Sequence, residues 1–131
     1  MSKLSNFLKA NKKVRTNSFY AATKSLCDEK GIPLEWELRP LTSGENEAIR
    51  DACFRDGRFS QSLYRAKVIA ACVVTPDLHD SELLDSYEAM SPEELICEMV
   101  DDPAEYNALF EQVIALGDTE TIGEKVAEAK N

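Results

Sequence analysis

The sequence predicts an α+β fold in which helix dominates, with an N-terminal β-hairpin followed by about five helices packed around a core helix over residues 63–74. Three observations support this fold. Only Lys67 is charged between Ala66 and Val74, apolar and charged residues alternate strictly within 34–39, and the second half contains repeated helix-start signals. A chain of 131 residues fits one domain and can bury a core without a metal ion or a disulfide.

The N-terminal hairpin is predicted from two extended runs, 18–26 and 33–41, on either side of the turn sequence at 28–31. In the second run, apolar residues alternate with charged ones, which is the period of a half-buried strand. These apolar residues are Leu34, Trp36 and Leu38. Pro33 and Pro40 bracket the second strand, so they belong either at its ends or on a strand at a sheet edge. Residues 1–16 precede the hairpin as a polar, basic segment that we expect to be flexible.

The core helix is predicted from the apolar run at 63–78, because Ser60 or Ser62 can cap its start and Pro76 can end it. Its alanines favour helix, although its valines and isoleucine would also suit a strand. Such a run must be buried on most sides in an otherwise charged chain. It is too short to span a bilayer, which needs roughly 20 apolar residues.

Capping side chains, two of them followed by proline, predict four further helices. These starts are Thr42 or Ser43, Asp80 or Ser81, Ser91-Pro92 and Asp102-Pro103. Asp56-Gly57 is interpreted as the turn that ends the first of these helices. A last short helix within 118–131 has few apolar residues, so we expect it to pack loosely on the same single domain, 1–131.

Charge is distributed unevenly along the chain. Residues 1–76 contain 13 Lys/Arg and 8 Asp/Glu, whereas residues 77–131 contain 2 and 16. The second half would repel a phosphate backbone, which argues against nucleic acid as a partner. It would attract a basic protein surface, or would serve only to keep the chain solvated.

The search for catalytic and ligand-binding motifs is mostly negative. The four cysteines show no zinc-binding spacing, and the sequence has no calcium loop and no glycine-rich phosphate loop, so we expect neither a metal nor a cofactor. His79, the only histidine, and Cys72 leave an enzymatic function open as a weak alternative. The start of the chain has no continuous apolar segment typical of a signal peptide, and together with the cysteine pattern this predicts a cytoplasmic protein without a membrane partner.

Three stretches along the chain resemble one family when they are taken together. They are PLEWELRPLTSGENEAIR (33–50), YRAKVIAACVVTPDLHDSELLDSYEAMSPEELI (64–96) and PAEYNALFEQVIAL (103–116). Their combination is similar to the XkdN-like tail assembly chaperones of long-tailed bacteriophages and prophages, and the resemblance covers residues 15–131. None of the three stretches is a catalytic motif, so the resemblance does not imply an enzyme.

The resemblance implies a function in the cytoplasm of a bacterial host. Proteins of this family bind the tape measure protein, keep it soluble and help to recruit tail tube subunits. They often also occur as a longer form, made by ribosomal frameshifting, through which the tail tube protein could be contacted. On charge alone, Asp85, Glu88, Glu94 and Glu98 are the candidates for contacting lysines of the partner.

A second hypothesis comes from a different functional class. A small acidic protein can mimic DNA and inhibit a basic host protein that binds it. The concentration of acid in one half, and the regular apolar faces of the helices there, argue against this alternative. A mimic should compete with DNA, whereas a chaperone should co-purify with an otherwise insoluble partner.

Overall fold

A computed structural model describes residues 3–116 of the chain, and within them it contains five α-helices, a three-stranded sheet and a two-stranded hairpin. Two short 3₁₀-helices, Leu4–Phe7 and Lys9–Asn11, precede the first strand. The elements are β1 (Ser18–Tyr20), β2 (Trp36–Leu38), α1 (Ser43–Ala52), β3 (Phe54–Arg55), β4 (Arg58–Phe59), α2 (Gln61–Cys72), β5 (Val73–Thr75), α3 (Ser81–Ser86), α4 (Pro92–Met99) and α5 (Pro103–Ile114). The predicted α+β fold with dominant helix is confirmed. The helix predicted within 118–131 lies outside the described residues.

Helix α2 occupies the centre of the molecule and contacts α1, α4 and α5. Ser60 caps its start, since the side-chain hydroxyl accepts a hydrogen bond from the Leu63 N–H at 3.3 Å. Half of its residues are buried: Tyr64, Ala66, Val68, Ile69, Ala70 and Cys72. A helix that is covered on several sides needs apolar residues around most of its circumference, which explains the uncharged run in the sequence.

The core helix lies two residues earlier in the chain than the sequence predicts, at Gln61–Cys72 and not at 63–74. It ends at Cys72, and Val73–Thr75 form strand β5 instead of a last helical turn. Strand β5 pairs antiparallel with β2, with Val73 opposite Leu38. β-branched residues prefer extended backbone, and here a neighbouring strand supplies the hydrogen bonds that a further helical turn would otherwise provide.

The predicted N-terminal hairpin is present, but its second strand is not at an edge. β1 pairs antiparallel with β2, and β5 pairs with the other side of β2. Pro33 and Pro40 therefore lie outside the central strand, where their missing N–H groups remove no hydrogen bond from the sheet. Trp36 and Leu38 face the core and are almost completely buried, as the alternating pattern predicts. The prediction is wrong for Leu34, which precedes the strand and is 45% exposed.

The segment after α1 forms a hairpin that the sequence analysis interpreted as a simple turn. Phe54 pairs with Phe59, and Arg55 pairs with Arg58. Between them, Asp56 and Gly57 have φ values of 53° and 76°. Two consecutive positive φ angles are required by the type I′ turn, which closes tight hairpins and favours Asp-Gly.

Each predicted helix start is supported by a side-chain cap. Thr42, Asp80, Ser91 and Asp102 each accept a hydrogen bond from the backbone N–H three residues later. At α1 the carboxylate of Glu45 also returns a bond to the Thr42 backbone, which completes a capping box. Arg39 donates two hydrogen bonds to the same carboxylate, at 2.6 and 3.0 Å, and lowers the pKa of Glu45 to about 2.

We expect Gly57→Ala to lower the free energy of unfolding by about 1 kcal/mol, because alanine disfavours a positive φ. A Cβ at Gly57 would contact nothing within 4 Å, so the backbone angle alone accounts for the effect. Gly44→Ala is the matched control: it lies in α1, also has open space around its Cβ, and should raise stability by about 0.5 kcal/mol. Urea unfolding of the two variants measures both changes, and equal effects would contradict the turn geometry.

Candidate partner-binding surface

The acidic surface candidates lie on α3, on α4 and on the segment between them. All four side chains are exposed: Asp85, Glu88, Glu94 and Glu98. Helix α3 ends in a Schellman-type cap, in which the Glu88 N–H donates to the Asp85 carbonyl and the Ala89 N–H donates to the Leu84 carbonyl. Glu88 has a φ of 55°, and this left-handed residue reverses the chain ahead of α4.

A shallow groove of about 410 Å³ lies between α2, α4 and this connecting segment. Its lining is partly apolar, from Leu63 and Ala66 of α2 and from Tyr87 and Ala89 of the connection. Ser62 and Cys97 also line it, together with the four glutamates Glu88, Glu93, Glu94 and Glu98. The structure therefore brings three of the four predicted residues together, whereas Asp85 does not line the groove.

The glutamates at the groove have different local functions. Glu94 accepts a hydrogen bond from the Met90 N–H at 2.8 Å, which fixes the chain entering α4. Glu93 pairs with Lys67 at 3.3 Å, and both side chains are largely screened from solvent. Within residues 3–116, Glu88 and Glu98 have no ion pair and no side-chain hydrogen bond. Together with Glu94, whose one side-chain bond to the Met90 N–H is not to a cation, they supply the negative charge of the groove that no described cation neutralises.

Met90 is an exposed apolar side chain beside the groove that charge-based reasoning missed. It lies between Ala89 and the cap of α4, and 88% of its surface is exposed. Methionine is flexible and polarisable, so it can adapt to apolar partners of different shape. The loop position before the Ser91-Pro92 helix start was the signal that could have identified it.

Comparison with known proteins identifies the family of the chain. The sequence profile of the phage XkdN-like tail assembly chaperone proteins matches residues 4–130. The chain belongs to this family. A solved structure described as the protein yqbn shares 15% sequence identity with this tail assembly chaperone, at a TM-score of 0.75. The likeness covers 92% of this chain and 99% of that one, and it shows a common fold. No curated protein matches the sequence.

Cys72 and His79, the pair that left an enzyme open, do not form an accessible nucleophile and base in this chaperone-family chain. Cys72 is enclosed in the core, where burial raises the pKa of its thiol to about 11. His79 lies in solvent, with Nδ1 at 3.8 Å from the Asp77 carboxylate. A buried neutral thiol is a poor nucleophile at neutral pH.

Among the residues that the structure describes, no cluster of three or more His, Cys, Asp or Glu side chains could hold a metal ion. None of the described helices combines the length and the apolar character needed to cross a bilayer.

We expect Glu88→Gly to raise the free energy of unfolding by about 1 kcal/mol, because glycine adopts the left-handed conformation at Glu88 without the Cβ penalty. Glu98→Gly removes the same charge from within α4 and should lower stability by about 0.5–1 kcal/mol. Denaturant titrations of the two variants measure these opposite changes. Destabilisation by both would show that the cap at Glu88 does not have this geometry.

Proposed function

We propose that this chain binds the tape measure protein of its phage or prophage, keeps it soluble during tail assembly and helps to recruit tail tube subunits around it. The observation that supports this most directly is an apolar groove with uncompensated glutamates in a chain of the tail assembly chaperone family. We place the contact with the tape measure protein at this groove, between α2 and α4.

The groove has the features that a helix-binding holdase needs. A long helical protein that is not yet enclosed by its tube exposes apolar faces, and these aggregate unless they are covered. Leu63, Tyr87 and Ala89 form a small apolar contact surface. The flexible, exposed side chain of Met90 lies at the edge of this surface. An amphipathic helix can lie in such a groove with its apolar side inward. Binding of the unassembled partner then shifts its equilibrium away from aggregation by mass action.

Charge provides the second part of the recognition. Glu88 and Glu98 lie beside this apolar contact surface, and neither has a cationic partner in the described residues. Lysine or arginine residues flanking the apolar stripe of the tape measure helix would complement them. Such complementarity raises the association rate and restricts binding to one orientation. The complex should therefore weaken as the salt concentration increases.

The remaining parts of the proposal follow from the same family function. The role is one of binding and release, without a catalysed reaction, a metal or a cofactor. It takes place in the cytoplasm of the bacterial host, where the tail is assembled. Contact with the tail tube protein would come from a longer, frameshifted form of the chain.

The proposal is tested with the double variant Glu88→Lys, Glu98→Lys, co-expressed with the tape measure protein of the same phage or prophage. Glu94 is left unchanged because it caps the entry to α4. We expect the amount of soluble tape measure protein in complex to fall at least tenfold, since two attractive charges become repulsive. The measurement is the yield of complex after affinity purification in low salt.

The matched control is Glu29→Lys, Glu35→Lys, which makes the same change in net charge at two exposed residues outside the groove. This control should retain the complex, and both variants should unfold with the midpoint of the wild type. Equal retention by the groove variant and the control would contradict the proposed site. A tape measure protein that is equally soluble without the chain would contradict the proposed function.

A further inference from the structure

The hairpin formed by β3 and β4 has two chemically different faces. Side chains alternate along a strand, so the pair Phe54 and Phe59 shares one face and the pair Arg55 and Arg58 shares the other. The Phe59 ring lies 5.6 Å from the Tyr64 ring of α2. The phenylalanine face is therefore turned toward the helices, and the arginine face is turned away from them.

The arginine pair gives the fold no visible benefit. Arg55 and Arg58 are directly opposite each other across the two strands, and like charges in that position destabilise a hairpin. Both side chains are exposed, and within residues 3–116 neither joins an ion pair or a side-chain hydrogen bond. The nearest acidic residues in sequence are Asp51 and Asp56. A ligand that neutralises the two guanidinium groups would remove this repulsion.

The hairpin also holds the two arginines in a defined position. Its turn has positive φ at both central residues, as a tight type I′ connection requires. On the opposite face, the guanidinium of Arg50 lies 4.9 Å from the centre of the Phe59 ring and 5.6 Å from that of Tyr64. These cation–π contacts attach the hairpin to α1 and α2. The two arginines therefore lie on a hairpin that is anchored to the helices.

We propose that the outward face of this hairpin is a carboxylate-binding site, at which Arg55 and Arg58 dock an acidic helix of a protein partner. A guanidinium group matches the planar carboxylate with two parallel hydrogen bonds. Side chains directly opposite in a hairpin have Cβ atoms roughly 4.5–5.5 Å apart, and glutamates four residues apart on a helix have Cβ atoms roughly 5–6 Å apart. One helical Glu pair can therefore meet both arginines at once.

The surroundings favour carboxylates of a protein over the phosphates of a nucleic acid. Phosphate backbones are bound by a stripe of many basic residues, and single strands also need exposed aromatic faces for stacking. Here the stripe consists of one arginine pair. The neighbouring rings of Phe59 and Tyr64 are covered by Arg50, which leaves the half-exposed ring of Phe54 as the one partly open aromatic face of the hairpin.

This site is positively charged, whereas the groove between α2 and α4 is negatively charged. It goes beyond the function proposed above. The groove selects a basic segment through Glu88 and Glu98, whereas the hairpin selects an acidic one. A chaperone with both surfaces can hold two oppositely charged segments, on one partner or on two. Failure of the hairpin site would leave the proposed binding of the tape measure protein unaffected, and the reverse also holds.

The test is an NMR titration of the full chain in low salt with a stapled helical peptide that contains one Glu pair at i and i+4. The control peptide has Gln at both positions. We expect saturable shifts of the Arg55 and Arg58 Nε–Hε signals with the Glu peptide, and at least fivefold weaker binding of the Gln peptide. A 12-nucleotide uridine RNA at equal concentration should leave these two signals in place.

Arg58→Glu separates binding from folding, because it turns a repulsive pair into an attractive one. The melting temperature should rise by about 1–3 °C while binding of the Glu peptide is lost. Lys24→Glu makes the same charge change at another exposed position and should bind the peptide as the wild type does. The site is disproved by absent or equal shifts with the two peptides, by stronger binding of the RNA, or by unchanged binding or a lower melting temperature in Arg58→Glu.

Discussion

The structure depends on the burial of one segment that changes from helix to strand at Cys72. Helix α2 packs against α1, α4 and α5, and the next three residues complete the sheet by pairing with β2. At the junction, the Arg39 N–H donates a hydrogen bond to the Cys72 carbonyl at 2.8 Å. One continuous stretch of backbone therefore connects the helical layer to the sheet. Val68 and Ile69 are fully buried. A charge introduced at either position would have neither solvent nor an oppositely charged partner and would destabilise the fold.

The same burial determines where a partner can bind. The middle of α2 is covered, but Leu63 and Ala66 in its first half line a groove that α4 and the connection after α3 leave open. Four glutamates of the second half line this opening: Glu88, Glu93, Glu94 and Glu98. Apart from Lys67, which pairs with the groove residue Glu93, basic residues of the first half are exposed elsewhere, for example Arg55 and Arg58 in the hairpin. The uneven charge along the sequence therefore gives the groove and the hairpin opposite charges.

The local signals in the sequence were sufficient for the helix starts, for the N-terminal hairpin and for the α+β class. Val73 and Val74 were predicted as helix because their strand conformation depends on β2, which is more than 30 positions away in the chain. The Asp56-Gly57 signal was recognised, but the pairing of Phe54 with Phe59 decides that it closes a hairpin. Charge alone suggested Asp85, Glu88, Glu94 and Glu98, and the structure brings the last three together at the groove. Charge could not show that Glu94 caps α4, which becomes clear only when the backbone of Met90 is brought within reach.

The central claim is that the tape measure protein occupies the groove between α2 and α4, and native cysteines test it directly. Cys97 lines the groove and is exposed, Cys27 is exposed elsewhere, and Cys53 and Cys72 are buried. The measurement is the alkylation rate of each thiol by iodoacetamide, with and without bound tape measure protein. The account predicts that the complex slows alkylation of Cys97 at least tenfold and leaves Cys27 unchanged. Equal rates for Cys97 in the free chain and in the complex would contradict it.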